Sequence, residues 1–74
     1  MRNALARVIE VLHEDRHGLA ETASGLAIYF HELSVVGGLS CLAVGDEVSL
    51  TLADASAPEI TEACAVHRTG RNWP

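Results

Sequence analysis

Gly45-Asp46-Glu47-Val48-Ser49-Leu50-Thr51-Leu52 is the stretch on which the fold turns. Gly45-Asp46 is a strong turn signal, and the six residues after it alternate: Val48, Leu50 and Leu52 fall on one side, Glu47, Ser49 and Thr51 on the other. Side chains of a strand point to opposite faces with a period of two, so the pattern predicts a half-buried strand over 47–52. Downstream, residues 54–59 with Pro58 read as a loop, ITEACAV (60–66) as a further strand, and 69–74 as a frayed tail.

Upstream the signals are shorter. LAIYFHEL (26–33) is a strand candidate with Ile28, Tyr29 and Phe30 at its centre, and HGLAET (17–22) is another, separated from it by Ala23-Ser24-Gly25. ALARVIEVL (4–12) is long enough for a strand and rich in β-branched residues. A helix competes there, because Ala, Leu, Arg and Glu all favour one. His13-Glu14-Asp15-Arg16 is a polar turn, and residues 34–43, broken by Gly37-Gly38, form a longer connection. Five short strands with one long link between the third and fourth predict an all-β fold, a small five-stranded antiparallel barrel. Closure hides the edges that would otherwise template aggregation. Val8, Ile28, Phe30, Val48, Leu50 and Leu52 are its expected core.

Seventy-four residues make one small domain, here with its core over about 4–68. Hydrophobic residues at 49% and charged residues at 20% exclude a disordered chain. No run approaches the length of a membrane span, and the start lacks a signal-peptide pattern, so the expected location is cytoplasmic, with no membrane contact. Ten Asp and Glu against five Arg and no Lys give a net charge of −5, which speaks against tight polyanion binding but leaves a local site open. Two cysteines, Cys41 and Cys64, are too few for a disulfide scaffold.

In this order of turns and strands, from about Ala6 to Val66, the chain resembles the bacterial cold-shock domain, a five-stranded OB-type barrel that binds single-stranded nucleic acid. The family's apolar-aromatic-apolar-His motif on the third strand is matched by Ile28-Tyr29-Phe30-His31. Its Leu-x-x-Gly-x-x-Val signature is matched by Leu42-Ala43-Val44-Gly45-Asp46-Glu47-Val48. GLAIYFHELSVVGG is closer still to a variant, YFH-x-x-SV, found as a cold-shock-like domain attached to ribosome-hibernation-type proteins. The second-strand motif, Gly-aromatic-Gly-aromatic, reads here Arg16-His17-Gly18-Leu19, with one of its glycines and neither aromatic. Glu10 stands where the family has an exposed Trp, and Glu32 where it has a further Phe.

The resemblance implies a binding face on strands two and three made by His17, Leu19, Tyr29 and His31, with Arg7 and Arg16 within reach of phosphates. Stacking of a base on an aromatic is worth about 1–3 kcal/mol, so a face stripped of three or four rings predicts weak binding of single-stranded DNA or RNA. The rival expectation is a protein-interaction module that kept the barrel, its acidic face suiting a basic or apolar partner. The expected state is a monomer or weak dimer. Cys64-Ala65-Val66-His67 and the His13/His17 spacing hint at metal. Cys64 and His67 would face opposite ways on a strand, however, and no second ligand pair exists, so no metal is expected. Neither a nucleophile motif nor a phosphate-cradling loop is present, so no catalysis and no cofactor are expected.

Overall fold

A computed structural model describes residues 2–52 and 62–72. Their backbone forms five strands: β1 Arg2–Leu12, β2 His17–Thr22, β3 Ala27–His31, β4 Asp46–Leu52 and β5 Ala63–Asn72. Two single 3-10 turns, η1 (Glu32–Ser34) and η2 (Leu39–Cys41), lie between β3 and β4. The strands make one antiparallel sheet in the order β3-β2-β1-β4-β5. The domain is thus small and all-β.

Long-range pairing decides between strand and helix for β1. One flank pairs with β4 from Arg2↔Leu52 to Arg7↔Glu47, and the other pairs with β2 from Ala6↔Thr22 to Leu12↔His17. A helix there would strip β2 and β4 of backbone partners. The register slips between Val8 and Glu10, where one extra residue of β1 bends the strand. At the two ends of the sheet order, Tyr29 bridges to Glu62 and Val35 to Val66, both in parallel sense. There the Val36 N–H donates to the Val66 carbonyl at 3.0 Å.

Ala6, Val8, Ala20, Ile28, Phe30, Val48, Leu50 and Val66 are wholly buried. Five of the six expected core residues are among them, and Leu52 packs against the cluster from its margin. Gly18 makes the centre possible. A Cβ at Gly18 would stand 2.5 Å from the Phe30 ring and 2.7 Å from the Glu10 carbonyl oxygen, so only glycine lets β2 lie this close to both.

Several boundaries differ from the expectation. Strand three ends at His31 rather than Leu33, because the His31 Nδ1 accepts the Leu33 N–H at 3.1 Å and turns the chain into η1. Leu33 is left 89% exposed. The long connection after it, as expected, carries no strand, and its Val35, Leu39 and Leu42 close the core. β5 runs on to Asn72, so residues 69–72 are strand and not a frayed tail; Asn72 pairs with Asp46. Glu47, expected to point outward, is buried. Its Oε1 accepts the Thr69 hydroxyl at 2.7 Å and meets the Arg71 guanidinium at 2.9 Å. The expected loop at 54–59 and the first two residues of the expected last strand, Ile60 and Thr61, lie outside the described residues.

Two substitutions test this packing. Phe30→Ala empties the largest buried side chain and should lower the unfolding free energy by about 3–5 kcal/mol, read by urea denaturation. Gly18→Ala should cost about 1–3 kcal/mol although it adds one carbon, because the Glu10 backbone cannot move aside as a side chain would. A Gly18→Ala protein as stable as the parent would show that β1 and β2 are not pressed together as described.

Candidate functional site

β2 and β3 are short amphipathic strands, and their inward residues fix where the others point. Gly18 and Ala20 on β2, with Ile28 and Phe30 on β3, are buried. His17, Leu19, Tyr29 and His31 therefore share the opposite face, each half-buried by its neighbours. The register makes His17 the cross-strand partner of His31, and Leu19 that of Tyr29. The Glu32 N–H donates to the Arg16 carbonyl at 2.8 Å, just outside the His17–His31 pair. That pair is consequently of the closer, non-hydrogen-bonded kind, with Cα atoms about 4.5 Å apart.

Across the diagonal, the His17 and Tyr29 rings lie 5.2 Å apart, centroid to centroid, inclined at 46°. Together they present two ring surfaces beside Leu19, the cross-strand partner of Tyr29. His31 is oriented from behind. With Nδ1 accepting the Leu33 N–H, the proton of the neutral ring sits on Nε2, which leaves a donor on the open side.

The charges around this patch are mostly negative. Glu10 of β1 is the cross-strand partner of Leu19, Glu32 follows His31, and Glu62 bridges to Tyr29. Arg7 reaches Glu21 at 3.5 Å, an exposed pair contributing no more than about 1 kcal/mol. Arg68 and Arg71 are engaged with Asp46 and Glu47 at the start of β4. Arg16 ends the β1–β2 turn in a left-handed conformation, φ 60°, beside His17, and among the described residues no ion pair involves it.

Of the six residues singled out from the sequence, His17, Leu19, Tyr29 and His31 form one patch, Arg16 borders it, and Arg7 is tied to Glu21 along the same face. The sequence reading missed Glu21 and Glu62 as neighbours, for strand register is what brings them in. It also missed the Glu47–Thr69–Arg71 cluster, whose members are brought together where three residues of β5 stand opposite Glu47. Cys64 and His67 are both exposed, and among the described residues no three His, Cys, Asp or Glu side chains converge as a metal site would need. A cavity of about 240 Å³ opens elsewhere, between the starts of β1 and the β2–β3 turn; Asn3, Thr22, Ser24, Leu26 and Leu52 line it, none of them titratable. No protein-family model matches this sequence, and no curated protein sequence matches it.

Proposed function

We propose that the chain is a cold-shock-like OB-type barrel whose β2–β3 face holds single-stranded DNA or RNA weakly. The observation that carries the reading is the half-buried His17–Tyr29 ring pair, on one face with Leu19 and His31. Unstacked bases bind to such flat side chains, and the interaction tolerates any base because each has a π-face. The backbone supports it as well. Arg16 and Gly18 stand at the two glycine positions of the second-strand motif. Arg16 has the positive φ that favours glycine, and Gly18 has no room for a Cβ. The sharing of β1 between β2 and β4, and the meeting of β3 with β5, favour a closed barrel.

A second reading has its own observation. Glu10, Glu32 and Glu62 around two aromatic surfaces would suit an arginine-rich peptide, whose guanidinium groups lie over rings and pair with carboxylates. NMR titration at low salt separates the two. Oligo-dT or oligo-rU should shift the resonances of His17, Leu19, Tyr29 and His31, and silence at millimolar ligand would remove the nucleic-acid reading.

Restoring stacking surface should strengthen binding. Leu19 faces Tyr29 on one side and Glu10 on the other, so Leu19→Phe with Glu10→Trp adds two rings and removes one carboxylate from the strand's path. At about 1–3 kcal/mol per stacked base, the double variant should bind oligo-dT at least about tenfold more tightly, measured by fluorescence titration. Salt should matter little. With Arg7, Arg68 and Arg71 already facing carboxylates, two phosphate contacts would give a slope of log K against log salt near −1.4, at about 0.7 per contact. A slope steeper than about −4 would require a basic surface that this face lacks.

A further inference from the structure

The face proposed for nucleic acid has too little positive charge for phosphate at neutral pH, and among the described residues the side chains placed to supply more are histidines. His17 and His31 oppose each other in the closer kind of cross-strand pair, and His13 lies in the adjoining turn. Histidine is the side chain that changes charge between pH 5 and 8. Charging all four histidines of the chain would take its formal charge from −5 to −1.

We propose that the charge state of the opposed pair His17 and His31 gates the β2–β3 face, closing it to single strands when both rings are neutral and opening it when they are protonated. The proposal rests on the nucleic-acid reading of the same face. Two imidazolium rings directly opposed across strands repel one another. A phosphate lying over both removes that repulsion and accepts a charge-assisted hydrogen bond from each, so proton uptake and anion binding reinforce.

The surrounding groups set the sign. From β1 the face meets Glu10, and further along the Arg7–Glu21 pair shared with β2. From the turn it meets His13, Glu14, Asp15 and Arg16, from η1 Glu32, and from the bridge to Tyr29 it meets Glu62. With neutral histidines these carboxylates outnumber Arg7 and Arg16 and repel phosphate. Protonation of the pair, with His13, raises the cations from two to five against six carboxylates. His31 adds a local consequence: a proton on Nδ1 displaces the hydrogen bond from the Leu33 N–H, so charging the ring uncaps η1.

The test is the affinity for oligo-dT at pH 7.5 and pH 5.5 and constant ionic strength, with circular dichroism confirming the same fold at both. Ordinary carboxylates stay ionised over that range. Binding at least about tenfold tighter at pH 5.5 is expected, falling below about threefold in His17→Gln/His31→Gln. If that variant does not fold, the parent still decides. At pH 5.5 addition of oligo-dT should shift the ring resonances of His17 and His31, with the Leu33 amide shifting alongside His31, and at pH 7.5 the same addition should leave them in place. Binding of equal strength at both pH values overturns the gate while the nucleic-acid reading stands. No binding at either pH overturns both. An arginine-rich peptide held at pH 7.5 and released at pH 5.5, with oligo-dT bound at neither, replaces the strand with a basic partner.

Discussion

The contact between the Phe30 ring and the bare backbone of Gly18 holds the rest in place. Because β2 has no side chain there, the largest group of the core reaches under it as far as the carbonyl of Glu10. Three strands are located by that one approach. Gly18 and Phe30 are also cross-strand partners, so the same contact fixes the β2–β3 register. With Gly18 inward, His17 and Leu19 must face out; with Phe30 inward, so must Tyr29 and His31. The exposed patch is the reverse side of a packing constraint.

Legibility in the sequence followed the range of the forces involved. The alternation of 47–52 is local, and β4 with its buried Val48 and Leu50 could be read from it. The sharing of a face by Tyr29 and His31, two residues apart, was equally local. β1 was ambiguous because its propensities point both ways, and only its partners, 5–16 residues away in β2 and 40–50 residues away in β4, make it a strand. Glu47 reads as a surface residue of an alternating strand. It is buried because β5 carries extra residues opposite it, three (69–71) against one, which bring over it Thr69 and Arg71, residues that the sequence places in a polar tail. For the site, face membership was visible, but the His17–Tyr29 approach and the engagement of Arg7 by Glu21 depend on register.

The electrostatic pattern gives the patch its character. Three of the arginines are matched to carboxylates, two of them at the start of β4, where they help fasten β5. What borders the rings is then Arg16 on one side and glutamates on the others.

The double pairing of β1 bears on how the chain comes to be made. Arg2 must find Leu52, so half of β1's partners are synthesised long after it. During translation β1, β2 and β3 can assemble as a meander as they emerge, with β1 offering one unpaired margin until β4 arrives. Joining that margin requires closure of a loop of some forty residues, a step that slows folding in proteins dominated by distant contacts. Until then the nascent sheet exposes Ala6 and Val8 beside an open edge, the condition in which a chain is most prone to pair with a copy of itself. The arrival of Gly45-Asp46, whose first amide donates to the Val8 carbonyl at 2.8 Å, is the moment at which that exposure ends.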